Sequence, residues 1–545
     1  MSLIDGNSRF SKSATKEISR SIFDRSNTLL TSFSAGKLVP IYLDEVLPGD
    51  TVTMDMSLLC RMATPLYPVM DNAYIDVHWF FVPNRLIWSN WKYFMGETRD
   101  AWDDDTEYEV PHDMITVSKG DFYDYAGIPY GSISSGSSPV YEVSALFRRA
   151  YQLIWNEWYR DQALQDSLLI DTGDVGLSDT TALLPVNKYK DYFTSALPEP
   201  ARPTDVNIPG LDGIYPLATG SVYNPGGSIK IYPSAISDNA SFGLCFNARS
   251  STAGYGDLVS NLSTATSTLG SIADRTNLYA DLSSSDASIN NLRQAFAVQR
   301  LLEADARGGT RYRELVKAHF GVDIGDARVQ IPEYLGGAHI PINVMQVVQM
   351  SSTSAEPSPL GETGAMSKTV HQGSMFTKSF VEHGILVGLA SVRTQHSYQQ
   401  GINRMWSRKG RLDYYWPELA NLGEQAVLNK EIYADGSATD DEVFGYQEAW
   451  ADYRYRPNMI TGNMRQTIKT ATSDSSLAVW HYGDFYESCP SLSDGWVRET
   501  DENIARTLAV SDTKVFDQFL CDCYFKARWA RPMPMYSIPG LVDHF

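Results

Sequence analysis

The chain has 545 residues, of which 43% are hydrophobic, 12% aromatic and 20% charged, a balance that excludes a disordered polymer and leaves enough apolar mass for a large core. Its 65 acidic against 45 basic residues give a formal charge of −20, which excludes a protein whose whole surface holds nucleic acid and leaves only a local basic patch open. Five cysteines, Cys60, Cys245, Cys489, Cys521 and Cys523, are too few and too scattered for a disulfide scaffold, so no bridge and a reducing compartment are expected. No run approaches the roughly 18 apolar residues of a membrane span, and the first residues hold no apolar segment of signal-peptide length. The reading is one large decorated domain, made and used in a cytoplasm-like medium.

Residues 1–37 form a basic N-terminal arm, with Arg9, Lys12, Lys16, Arg20, Arg25 and Lys37 against Asp5, Glu17 and Asp24. Next, "TVTMDMSLLCRM" sets Val52, Met54, Met56, Leu58, Cys60 and Met62 on one face, the period of a half-buried strand. After the turn-like "ATPLYPVMDN", "YIDVHWFFV" alternates again through Ile75, Val77, Trp79 and Phe81, predicting a second long antiparallel strand after a compact connection. Further strands are predicted at "SIKIY" (228–232), "FGLCF" (242–246), "GILVGLASVR" (384–393), "SLAVWHY" (476–482) and "LCDCYFKARW" (520–529). Between them, "RLIWSNWKYFMG" reads as a brief helix. "VSALFRRAYQLIWNEWYRDQAL" carries Val143, Leu146, Phe147, Ala150, Ile154 and Trp158 at helical spacing, and "NLRQAFAVQRLLEADA" ends at Gly308-Gly309. Strands this far apart demand long connections. The pattern fits a mainly β sandwich of the jelly-roll kind, with long loop and helical insertions between strands, better than a regular βαβ wind.

Residues 248–290, rich in Ser, Thr, Ala and Gly, show little periodicity and read as a surface loop, either passive or an exposed interaction element. The end, "FKARWARPMPMYSIPGLVDHF", is apolar where chain ends are usually polar, and Pro532, Pro534 and Pro539 forbid a continuous helix. An extended C-terminal arm over residues 532–545 is expected. Its Met533, Met535, Tyr536, Ile538, Leu541, Val542 and Phe545 need cover from a neighbouring subunit's groove or from an intramolecular clasp.

Motifs with a stated phosphate, acyl-transfer or zinc mechanism are absent, so no catalytic set, metal or cofactor is expected. Cys521 and Cys523 share one strand face with Phe525, Ala527 and Trp529, the pattern of core cysteines. The acidic run Asp100, Asp103, Asp104, Asp105, Glu107 and Glu109 lacks the order of a calcium loop and reads as a solvated loop.

Several stretches together carry a resemblance: "LVPIYLDEVLPGDTVTMDMSLLCRMATPLYPVMDNAYIDVHWFFVPNRLIWSNWKYFMGE", "LRQAFAVQRLLEADARGGTRYRELVKAHFGV", "PEYLGG", "VRTQHSYQQGINRMWSRKGRLDYYWPELANLGEQAVLNKEIY", "EAWADYRYRPNMITG" and "ARPMPMYSIPGLVDHF". They are similar to the capsid proteins of the gokushoviruses, small single-stranded DNA bacteriophages of the microvirus family. The resemblance weakens over about residues 195–289, where it implies a variable surface insertion within a capsid domain of residues 38–531. It implies an eight-stranded antiparallel jelly-roll β-sandwich assembled into the simplest icosahedral shell around circular single-stranded DNA, with the insertion rising at the three-fold axes. Implied partners are further copies of the chain, the genome, minor virion and small basic packaging proteins, and a host cell-surface receptor, in a virion assembled in the bacterial cytoplasm.

On that reading Arg9, Lys12, Lys16, Arg20 and Arg25 face DNA on the inner wall. The insertion, with Tyr255, Leu262, Leu269 and Tyr279, faces the host. The competing reading is a carbohydrate-active or carbohydrate-binding β-sandwich, with aromatics lining a sugar cleft and, in an enzyme, two carboxylates as acid and base.

Overall fold

A computed structural model of the chain describes residues 19–97, 107–130, 139–176, 182–200, 217–219, 278–280, 289–309, 311–348, 350, 363–466, 477–509 and 516–536. The chain divides into two units, residues 1–201 with 305–545, and residues 202–304.

The first strands are β1 (Ser21–Asp24), β2 (Asn27–Phe33), β3 (Val39–Val46), β4 (Thr51–Met62) and β5 (Ala73–Pro83). β6 (His112–Thr116) and β7 (Val140–Ser144) form a hairpin; β8 (Leu217–Thr219) pairs with β9 (Leu278–Ala280) inside the second unit. Then come β10 (Glu333–Pro341), β11 (Val344–Val348), β12 (Thr363–Ser367), β13 (Thr369–Ser379), β14 (Gly384–Thr394), β15 (Glu424–Leu428), β16 (Val443–Glu448) and β17 (Phe519–Arg531).

The first unit is mainly β and entirely antiparallel in its sheets. One sheet runs β1–β17–β4–β13, with β2 also on β17; the other runs β10–β5–β14–β3. β1 pairs with the far end of β17 (Ser21 with Arg531) and β2 with its start (Phe33 with Phe519), so the two share one edge position interrupted at Arg25 and Ser26. The sheets meet face to face. Trp79 of β5 lies 5.6 Å from the ring of Phe376 on β13 and 5.7 Å from Phe525 on β17, and the expected apolar face of β4, from Val52 to Met62, is buried between them. Each such buried side chain contributes roughly 1.5–3 kcal/mol. Gly388 of β14 sits opposite Trp79, and a Cβ there would meet the indole Cζ3 at 3.0 Å; glycine lets the ring lie flat on the strand.

The second sheet is covered on its other side as well. Phe80, Val82, Ile385, Val387 and Leu389 pack against Ile87, Trp88, Phe122, Tyr151, Ile154 and Trp155, the last three from the helix Leu146–Ile154 and its π-helical continuation Trp155–Tyr159. This explains the unbroken apolar run of β14, buried at nearly every position, beside the strict alternation of β4 and β17, whose outer face is open.

Several expectations are corrected. β4 and β5 do not pair with each other but lie in opposite sheets. "SLAVWHY" forms a 3-10 turn at Ala478–Trp480, because its backbone is taken by loop partners: Trp480 O accepts from Met70 N at 2.7 Å and Tyr482 N donates to Asp71 at 3.0 Å. The helix around Phe147 starts at Leu146, Val143 belonging to β7, and ends at Tyr159. The sheet also takes in Ser21–Phe33, inside the span read as an arm. The brief helices Asn84–Ile87 and Trp91–Phe94 and the helix Ile289–Gly308 fall where the periodicity places them. The predicted strands at 228–232 and 242–246, Cys245, the loop at 248–277 and 281–288, and Asp100, Asp103, Asp104 and Asp105 lie outside the described residues.

Candidate assembly surfaces

The two ends of the sandwich domain meet at one sheet edge. Arg20 bonds the Gly49 carbonyl and reaches Thr51 Oγ1 at 2.6 Å, across from the last residues of β17. Arg25, at the break between β1 and β2, pairs with Asp44 at 2.8 Å and lies 5.0 Å above the Trp529 ring. Arg531 stacks over the same ring at 4.4 Å, ion-pairs with buried Asp50 at 3.1 Å and donates to the Glu45 carbonyl at 2.7 Å. Strand β17 is thus clamped by cations on both sides of Trp529, the geometry of cation–π pairing in a partly desolvated site. Sequence reasoning missed Asp44, Asp50 and Arg531; the cation–aromatic alternation of "KARWAR" was the available signal.

Of the five cations assigned to DNA, Arg20 and Arg25 are tied to the sheet edge, while Arg9, Lys12 and Lys16 lie outside the described residues. The C-terminal arm leaves the sheet after Arg531, where Pro532 removes the next ladder donor. Met533, Met535 and Tyr536 are exposed, Tyr536 at 75%. Ile538, Leu541, Val542 and Phe545 lie outside the described residues, as do Tyr255, Leu262 and Leu269; Tyr279 lies in β9, where only the backbone is described.

A buried charge cluster, not anticipated from the sequence, pins the long excursion between β14 and β17 to the sandwich. His396, two residues past β14, bonds Asp484 through Nδ1 at 2.9 Å and Glu499 through Nε2 at 2.8 Å. Lys188 stands 3.6 Å from Asp484, Asn503 donates to it at 2.7 Å, and Thr394 donates to Glu499 at 2.7 Å. Burial by itself opposes a charged imidazole, but the two carboxylates outweigh it and push the His396 pKa up to about 10. Asp484 is likewise held well below the usual carboxylate range, burial being overcome by Lys188 and His396. The partners lie 88 and 103 residues along the chain, so no local pattern announces them.

Cys521 and Cys523 sit in the core with Phe525, Ala527 and Trp529, and burial pushes the Cys523 thiol up to about 12. No group of three or more His, Cys, Asp or Glu side chains able to hold a metal occurs among the described residues.

The domain therefore presents a two-sheet antiparallel sandwich, locked by internal charges, with an apolar arm leaving the end of the interior strand β17. The model of the capsid protein (F protein) family matches residues 11–541. The chain belongs to this capsid protein family. It is 39% identical to the capsid protein VP1 of Chlamydia phage 1, covering 98% of this chain and 97% of the relative, and 40% identical to that of Bdellovibrio phage phiMH2K, covering 98% of each. The capsid protein VP1 of Spiroplasma virus 4 is 37% identical over 98% of this chain. The resemblance to gokushovirus capsid proteins is borne out, and with it the reading as a structural protein of a bacteriophage virion that assembles into a multi-subunit shell. Membership in the capsid protein family supports a structural role over the carbohydrate-active alternative.

Proposed function

We propose that this capsid protein closes into a small icosahedral shell around a circular single-stranded DNA genome. Its core is read as an eight-stranded jelly roll: with β1 and β2 taken as one interrupted strand, eight positions remain, four in each facing sheet, and sheet neighbours such as β4 and β17 are distant in sequence. The observation that carries the shell reading is the arm beyond Arg531, whose Met533, Met535 and Tyr536 are exposed on the subunit. Apolar groups on an extended, proline-restricted strip lose little entropy on docking, and a closed shell supplies a neighbour's groove at every copy. Deleting residues 540–545 should leave a folded, soluble subunit that fails to close shells in electron micrographs. Normal particle yield, or an arm touching only its own chain in the assembled particle, would establish the clasp instead.

Within that shell, Arg9, Lys12, Lys16, Arg20 and Arg25 neutralise genome phosphates at the inner wall, the last two also anchoring the root of the arm. The insertion within residues 195–289, including Tyr255, Leu262, Leu269 and Tyr279, rises outward for attachment to a host cell-surface receptor. Minor virion and small basic packaging proteins join the particle, which assembles in the cytoplasm of the bacterial host.

A further inference from the structure

Two stretches of the excursion between β14 and β17, residues 402–422 and 451–459, form one surface outside the core of the sandwich. Tyr415 packs against Trp450 and Tyr453 at centroid distances of 5.7 and 6.2 Å, and Arg408 lies 4.4 Å above Tyr453 while ion-pairing with Asp452. Trp450, in the left-handed backbone region at φ 66°, is held there by its Nε1 donating to the Leu419 carbonyl at 2.9 Å. A bulky residue in that conformation persists only where its surroundings impose it, so the surface is built and not a loose loop.

On this scaffold the large side chains point into solvent. Trp406 is 76% exposed and Leu412 71%, with Tyr414, Tyr455 and Trp416 also open. Arg411 lies 4.7 Å over the Trp416 ring. The two stretches carry Arg404, Arg408, Lys409, Arg411, Arg454 and Arg456 against Asp413, Glu418 and Asp452, a cationic island in a chain of net charge −20. Lys409, Arg411 and Arg456 have no carboxylate within ion-pair distance among the described residues.

We infer that this surface binds single-stranded nucleic acid, the bases stacking on Trp406, Trp416 and Tyr414 and the phosphates meeting Lys409, Arg411 and Arg456. Protein interfaces also use Trp, Tyr and Arg, but their centres are depleted of lysine and of net charge, whereas here six cations stand against three carboxylates with Lys409 among the open rings, a balance that suits a polyanion. That interleaving matches the alternation of base and phosphate along an unpaired strand, and stacking tolerates any sequence because every base has a π-face. The inference rests on the reading of the chain as a shell around single-stranded DNA and names where the polymer is held.

The test is binding of a fluorescein-labelled thymidine oligomer, about 20 nucleotides long to exceed a typical single-strand site, to the full-length chain at several salt concentrations. Sedimentation of the same samples reports assembly, which separates failure of this inference from failure of the shell reading. W406A combined with W416A should weaken binding by about tenfold or more, and W406F with W416F should restore most of it, since Phe still stacks. R411Q with R456Q should reduce the slope of log affinity against log salt by about 1.4. The same oligomer annealed to its complement should bind more weakly, its bases being already stacked. Unchanged binding in both variant pairs, or no binding by the parent chain, overturns the inference. Variants that keep binding but lose assembly show that the surface joins subunits instead.

Discussion

Replacing His396 with Gln tests the buried charge cluster directly. The imidazolium sits 2.9 Å from Asp484 and 2.8 Å from Glu499, and its side chain is 2% exposed, so solvent screens neither contact. A glutamine amide can serve one carboxylate and brings no charge, leaving the other acid buried with less compensation; breaking such a network costs roughly 3–5 kcal/mol. The histidine pKa is raised from 6.5 to about 10 on folding. Its contribution is therefore fully present below pH 6.5 and is lost progressively as pH rises through about 10. Urea unfolding of the unassembled subunit, followed by Trp fluorescence at steps from about pH 6 to about pH 10, should show a stability gap between parent and His396→Gln that is widest at the acid end and closes toward the alkaline end. A gap below about 1 kcal/mol at neutral pH would place the cluster among weak ion pairs. A gap of constant size across that range would show that the histidine is neutral in the folded chain.

Gly388→Val should destabilise the sandwich by about 1–3 kcal/mol, read as a lowered urea midpoint, because the new side chain meets Trp79 and the Tyr42 Cβ at 3.1 Å with no room to shift. Neutralising Arg9, Lys12, Lys16, Arg20 and Arg25 to Gln should lower the DNA content of purified particles, with Arg20 and Arg25 also loosening the edge they clamp; unchanged genome content would remove the arm from DNA binding. Replacing residues 250–288 with a short Gly/Ser linker should leave particles intact by electron microscopy but abolish adsorption to host cells, and normal plaques would reject the attachment role.

Much of the sandwich was legible because its strands advertise their surroundings. β4 and β17 alternate since one face meets the core and the other lies open, and the same alternation names the buried residues from Val52 to Met62 and from Cys521 to Trp529. The unbroken apolar run of β14 likewise reports a strand covered on both sides. The end of β17 was readable too, from the donor that Pro532 lacks.

Other features belong to partners that no local pattern contains. β10 was not legible because Gly336, Gly337 and Pro341 read as breakers; in the fold the two glycines admit close approach of the Met375 and Val77 carbonyls, where a Cβ would stand 2.4 and 2.3 Å away. "SLAVWHY" looks like a strand yet has no free ladder beside it, its backbone being taken by Met70 and Asp71. The basic character of residues 1–37 was plain, but only the packed edge decides that Arg25 is engaged by Asp44 and Trp529. Composition and period state what a residue needs; long-range packing decides which partner, often a hundred residues away, supplies it, as Glu499 does for His396.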